Sequence, residues 1–380
     1  MPADAGGCSD ILRTSGGQRG RRPDRRRSRK KTTTDMKLDT FSDYARKGAM
    51  CVLGLGLAVT AALPLTSCEG IMEDLEECPQ GLRLRFVYDY NMEFANAFPS
   101  QVDCLTLLVY DKDGKYLATQ TVTDPELLSD EDWRMTLDLT PGTYQLMAYG
   151  GMACSETSFA FDPLPGDPVA MSDIRVYLKP GCITKPAGTD LHNLFYGALE
   201  VTVPEGASDY TEATVEMMKD TNNLRIILQH IDGTPVDNAD FTYMVTAANT
   251  LFDYRNNVIS TETNTFYPWV QGQQTAGTAD EDDAPVEVAY AEFSLSRLIA
   301  GAGPRLEICR KNDGSQVLSI PLVNYLLLLK SEHFASMSAQ EFLDRESRWN
   351  MIFFLDKGNH WITTQIVING WVVRINNIES

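Results

Sequence analysis

The chain reads as an all-β protein built of two sandwich-like blocks. Three observations predict this. Apolar and polar residues alternate along short runs, Gly and Pro turns recur about every ten residues, and one segment alone carries a clear helix-start signature. The first run, GLRLRFVYDY, sets Leu82, Leu84, Phe86 and Tyr88 against Arg83, Arg85, Val87 and Asp89, the period of a half-buried strand. CLTLLVYDKDGKYLATQTVT predicts two strands joined by a tight turn at Asp111–Gly114. A strand at Met135–Leu139, a turn at Pro141 and Gly142, and a strand at Tyr144–Tyr149 repeat the theme, and DIRVYL and LFYGALEVTV add two more.

Across Val203–Ala213 the alternation lapses into loop composition, which places the boundary there and gives blocks 80–206 and 207–380. The second block continues through VEMMKDTNNLRIILQHI, DFTYMVTAAN, PVEVAYAEFSL, PRLEICRKNDGSQVLSIPL and WITTQIVINGWVVRIN, with a hairpin turn at Arg310–Gly314. Gln271–Pro285 is polar, acidic and Gly-containing, and predicts a mobile surface loop. Ser338-Ala339-Gln340-Glu341 is a capping box that opens a short helix through about Ser347. LVNYLLLLK is well short of the roughly 20 apolar residues a membrane span needs, so it reads as a buried segment.

The first 67 residues have a different character. Residues 1–35 are rich in Gly, Ser and Arg without apolar periodicity, and read as a basic extension ahead of a start at Met36. From there 36–67 has the layout of a cleaved lipoprotein signal peptide: Arg46 and Lys47, then an apolar stretch from Ala49 to Leu65, then Leu65-Thr66-Ser67-Cys68. An aliphatic residue and two small ones before a Cys resemble a bacterial lipobox. The thiol of Cys68 takes diacylglycerol from a membrane-embedded transferase, and small residues admit the signal peptidase to the bond before it. Acyl chains contribute about 0.8 kcal/mol per buried CH₂, enough with two or three chains for stable anchoring. The segment 68–79 follows with Glu69, Glu73, Asp74, Glu76 and Glu77. It reads equally as a plain solvated tether or as the acidic export tether of Bacteroides-type surface lipoproteins.

Residues 1–67 hold 13 Lys and Arg against 6 Asp and Glu, so a whole-chain net charge of −19 becomes −26 for the 313 residues from Cys68 to Ser380. That charge disfavours nucleic acid and anionic lipid headgroups as partners. No CxxC or zinc spacing occurs among the eight Cys. They read as small buried apolar residues, with one disulfide possible.

Catalytic constellations are missing from the sequence pattern. His192, His230, His333 and His360 show no helical metal spacing, and there is no HExxH, GxSxG or GxxxxGK[ST]. Asp111-Lys112-Asp113-Gly114 lacks the later ligands of a calcium loop and reads as a hairpin turn. Carboxylates are plentiful, but nothing singles out a glycosidase pair. Trp269, Trp349, Trp361 and Trp371 suit a sugar platform in principle, yet Trp361 and Trp371 flank strand residues and read as core packing. No metal, cofactor or enzymatic activity is expected.

Several segments resemble the fimbrillin-associated anchor proteins of Bacteroides-type fimbriae. CPQGLRLRFVYDYNMEFANAF, LLVYDKDGKYL and LTPGTYQLMAYGG look like the N-terminal domain; VEMMKDTNNLRIIL, PLVNYLLLLK, QEFLDRESRWNMIFFLD and QIVINGWVVRIN look like the C-terminal one. The resemblance implies two tandem transthyretin-like β-sandwiches held to the outer membrane by lipid on Cys68. It implies a surface subunit that anchors a fimbrium and helps set its length. Shaft subunits would join by β-strand addition, in which main-chain hydrogen bonds supply affinity. A surface glycan-binding lipoprotein and a lipid-anchored hydrolase are the alternatives from other classes.

Overall fold

The computed structural model describes residues 80–183, 188–278, 285–330 and 334–374. In chain order the first block comprises β1 (Gly81–Val87), α1 (Phe98–Gln101), β2 (Leu105–Asp111), β3 (Tyr116–Val122), α2 (Pro125–Leu128), β4 (Met135–Asp138) and β5 (Gly142–Gly150). It continues with β6 (Phe159–Asp162), β7 (Arg175–Leu178), β8 (Phe195–Val203) and β9 (Thr211–Lys219). Asp111 makes the β2–β3 turn: its Oδ1 accepts from the Asp113 and Lys115 amides at 2.9 Å each, local bonding that lets the chain reverse.

Seven of these strands form one sheet, ordered β3-β2-β5-β8-β9-β1-β4. Side chains of β1, β4 and β9 share a buried cluster with those of β2, β5 and β8, so the sheet folds over and supplies both layers of its own sandwich. The fold line is β8–β9, joined at only Phe195–Gly197 against Met217–Lys219. Gly197 sits on that line because a Cβ there would lie 2.7 Å from the Glu216 carbonyl oxygen. The opposite faces of β2 and β5 carry Leu108, Tyr110, Met147 and Tyr149 into a second core. Burial on both faces explains why LTLLVYD is apolar almost throughout.

The second block runs β10 (Thr221–His230), β11 (Phe241–Ala247), β12 (Leu251–Asp253), β13 (Asn264–Phe266), β14 (Val270–Thr278) and β15 (Pro285–Ser296). Then come β16 (Arg305–Arg310), β17 (Gln316–Pro321), α3 (Leu322–Leu326), α4 (Ala339–Arg345), β18 (Arg348–Leu355), β19 (Trp361–Ile368) and β20 (Trp371–Arg374). A six-stranded sheet, β14-β15-β10-β18-β19-β20, packs on a four-stranded one, β13-β11-β16-β17, around the second core. β12 joins β7 and β6 in a three-stranded sheet, so strands from both halves of the chain pair directly. The protein is all-β, as the alternation predicted, with sandwich packing in both blocks.

Three sequence expectations need correction. The loop-like stretch Val203–Ala213 connects β8 to β9 inside the seven-stranded sheet, and the change to the next sheet falls later, at Asp220. Loop composition marks the end of a strand, and gives no information on which sheet the next strand joins. Within Gln271–Pro285, residues through Thr278 belong to the edge strand β14; residues 279–284 lie outside the described set. Ladder hydrogen bonds to β15 come from the main chain, so polar side chains suffice at a solvent-facing edge. Short helices α1, α2 and α3 accompany the expected α4. The first half of LVNYLLLLK is buried, with Leu322, Val323 and Leu326 at most 1% exposed, while Leu328 is 38% exposed, and the segment coils as α3 and a following 3-10 turn.

Candidate functional site

The six-stranded sheet ends at β20, which among the described residues pairs only with β19. Strand periodicity turns Trp371 and Val373 toward the core side, but the facing four-stranded sheet does not reach this far. α4 and the 3-10 turn Leu327–Leu329 fill the space instead, and leave an apolar groove of about 550 Å³ lined by Met92, Leu328, Leu329, Phe334, Phe342 and Trp371. Trp371 is 68% exposed, which corrects the expectation of core packing: an edge strand lacks the second layer against which the partly buried Trp361 packs. The neighbouring Val372 is 62% exposed. An open strand edge beside uncovered aromatic and aliphatic side chains is suited to accept another strand.

One wall of the groove comes from the first block. Arg345 on α4 lies 4.1 Å from the Tyr90 ring centroid and 4.7 Å from that of Phe94, and binds the carbonyls of Asp89 and Asn91. This holds the loop carrying Met92 against α4. α4 itself starts as expected: Ser338 Oγ accepts from the Glu341 amide at 3.0 Å, while the Glu341 carboxylate pairs with Arg345 at 2.9 Å.

Behind α4 lies a buried charge cluster invisible to motif reading. Arg297 is bidentate to Asp344 at 2.8 Å on both arms, donates to the Asn256 carbonyl at 2.7 Å, and stands 3.9 Å from Asp220. Asn256 also donates to Asp220 at 2.9 Å. Asp220, at the change of sheet, is fully buried, and burial pushes its carboxyl up to about 7 against the opposing pull of Arg297. Burial likewise lowers the Lys219 amine to about 8. The cluster ties the sheet junction, the loop after β12 and α4 into one body; its sequence signal was no more than isolated charges inside apolar runs.

Cys68, the expected acylation residue, lies outside the described residues. Cys104 and Cys154 form a disulfide with Cα atoms 5.4 Å apart, next to a His192–Asp103 pair at 3.1 Å. Among the described residues the histidines have separate partners. His230 is buried against Thr234 and Asn359, His360 is exposed beside Asp356, and His333 is outside the described set. Trp349 is buried and donates to Asn222 at 3.1 Å, and Trp361 packs on Phe353. Trp269 and Trp371 are exposed at opposite edges of the six-stranded sheet, so the tryptophans form no common platform. No helix among the described residues is long and apolar enough to cross a membrane.

A family model, Fimbrillin-A associated anchor proteins Mfa1 and Mfa2, matches residues 75–377. The chain belongs to the fimbrillin-A associated anchor protein family. That family consists of structural fimbrial proteins rather than enzymes. Among its relatives is the minor fimbrium anchoring subunit Mfa2 of Porphyromonas gingivalis, 21% identical over 320 residues that cover 83% of this chain and 92% of that one. The solved structure of that organism's fimbrial anchor protein Mfa2 shares the fold, with a TM-score of 0.58 at 17% identity over 78% of this chain and 99% of that one. A candidate adhesin of Bacteroides thetaiotaomicron is nearer, with a TM-score of 0.75 and 50% identity over 80% of this chain and all of that one. A candidate polysaccharide-binding protein of the same organism reaches a TM-score of 0.65 at 31% identity, over 78% of this chain and 98% of that one.

Proposed function

We propose that this fimbrial subunit anchors a fimbrium at the cell surface, and that it receives the first shaft subunit by strand addition along β20. The observation that carries this reading is the apolar groove of about 550 Å³ beside an edge strand with no outer partner among the described residues. A donated strand would continue the main-chain ladder beyond β20, and its alternate side chains would enter the groove against Trp371 and Phe342. Covering exposed apolar surface stabilises such a contact by roughly 25 cal/mol per Å² of apolar area removed from water. The partner is another fimbrial subunit. The attachment is lipid on Cys68, exposed on the outer membrane, where the protein helps set fimbrial length. The family and the Porphyromonas anchoring subunit support this reading.

The test is Trp371→Ser in the full chain, expressed in its own cells. Because Trp371 is 68% exposed, the variant should fold and keep its melting temperature. Fimbriae should be shed into the medium at least tenfold more than from the parent. Cell-bound fimbriae of normal length and number with this variant would refute the groove as the docking site.

A further inference from the structure

The opposite face of the six-stranded sheet carries a polar depression, joined to the β20 groove through hydrogen bonds such as that from the Asn350 amide to Asn369 Oδ1 at 2.7 Å. Strand register builds it. Arg225 on β10 stands between Glu292 on β15 and Asn350 on β18, and Asn223 stands opposite Arg348. The alternate residues Leu224, Phe293 and Trp349 point into the core and are at most 2% exposed, so the polar set shares the outer face. Trp269 closes the rim: its amide donates to the Glu292 carbonyl at 2.9 Å, and its side chain is 40% exposed. These residues line a hollow of about 220 Å³. Asn223 also lines a neighbouring hollow of about 450 Å³ that contains Asp190 and Asn193, so a ligand seated at Trp269 has room to extend.

The polar groups are only partly satisfied. Arg225 pairs with Glu292 at 3.0 Å, lies 4.9 Å from the Tyr290 ring centroid and donates to Gln274. Its buried Nε has no hydrogen-bond partner, and neither has the buried Oδ1 of Asn350. Buried polar atoms without partners are uncommon and costly, and here two of them, a donor and an acceptor, belong to residues of one hollow. Arg348 is exposed, and among the described residues its guanidinium makes no ion pair or hydrogen bond.

We infer that this hollow binds a carboxylated pyranose, a uronic acid residue of a glycan, with the ring on Trp269 and the carboxylate on Arg348. An exposed indole offers a flat apolar face to the C–H side of a pyranose. Arg225, Asn223 and Asn350 supply donors and acceptors for ring hydroxyls. An unpaired guanidinium prefers a carboxylate, which it can hold by two parallel bonds. A neutral sugar would leave the Arg348 guanidinium with only the nearby charge of Glu346 and no direct bond. A polyanion is repelled by a chain of net charge −19, so recognition rests on a single carboxylate at the site.

The test uses the full chain and methyl glycosides of glucuronic, galacturonic and mannuronic acid, each beside its neutral hexose counterpart. Binding is read by ligand-observed NMR and by tryptophan fluorescence. At least one uronide should bind ten times or more tighter than its neutral counterpart, and added salt should weaken it. Trp269→Ala should abolish binding with the melting temperature unchanged, and Arg348→Gln should equalise acidic and neutral sugars. Absence of binding across the panel would overturn the inference, as would equal affinity for both members of every pair. So would full binding by Trp269→Ala. None of these outcomes bears on whether fimbriae stay attached.

Discussion

Asp220 is the residue whose chemistry reaches furthest through the fold. Its carboxyl is raised to about 7 chiefly by burial, with Arg297 and the Asn256 amide pulling the other way. An ordinary unfolded Asp titrates near 3.9, so the folded state holds this proton more tightly than the unfolded chain does. The associated stability is present below about pH 4, declines as pH rises toward 7, and is flat above. Asp220→Asn removes this dependence. The stability difference between parent and variant, from urea unfolding at pH 4 to 8, should therefore shift by roughly 4 kcal/mol across that window and then level off. A difference that stays constant with pH would show that Asp220 titrates as an exposed residue does.

At the scale of elements, main-chain bonding and side-chain character separate. β14 is a strand despite its Gln-, Gly- and Thr-rich sequence, because its amides and carbonyls have β15 to pair with. α4 was legible beforehand, because capping is local: Ser338 meets the Glu341 amide three residues on. Ser338→Ala should cost about 1 kcal/mol, measurable as a lower urea midpoint with an unchanged slope. Since α4 holds both Asp344 and the wall of the β20 groove, the variant should also loosen the loop around Met92, seen as faster amide exchange there. No change in exchange would mean that Arg345 and the charge cluster hold α4 without its cap.

For the whole molecule, the two sandwiches are joined more closely than a linker permits. β12 of the second half pairs with β7 of the first, and one core takes side chains from both. Load applied at β20 would thus pass through its own sheet, the chain step from β10 back to β9 and the shared core to the N-terminal sandwich, the arrangement expected of the proposed anchor. The proposed lipid on Cys68 completes that path. Cys68→Ala should move the protein from the outer-membrane fraction to soluble or unprocessed material, with fimbriae released alongside. Retention of the variant in the outer membrane would reject acylation at this residue.

What the sequence determined by itself was local. The period of two in GLRLRFVYDY, the turn at Asp111–Gly114 and the cap at Ser338 each depend on neighbours a few residues away, and each appears in the structure. The family resemblance was also legible, since ordered motifs survive in the chain even when single ones are weak. Tertiary structure alone decided which sheet β9 joins, that β6, β7 and β12 form a shared sheet, and that Trp371 is exposed while Trp361 is packed. It also decided the meeting of Asp220 with Arg297 and of Trp269 with Arg225 and Arg348. Burial and partnership depend on what the distant chain brings across, and a pattern of alternation encodes a face without encoding what covers it.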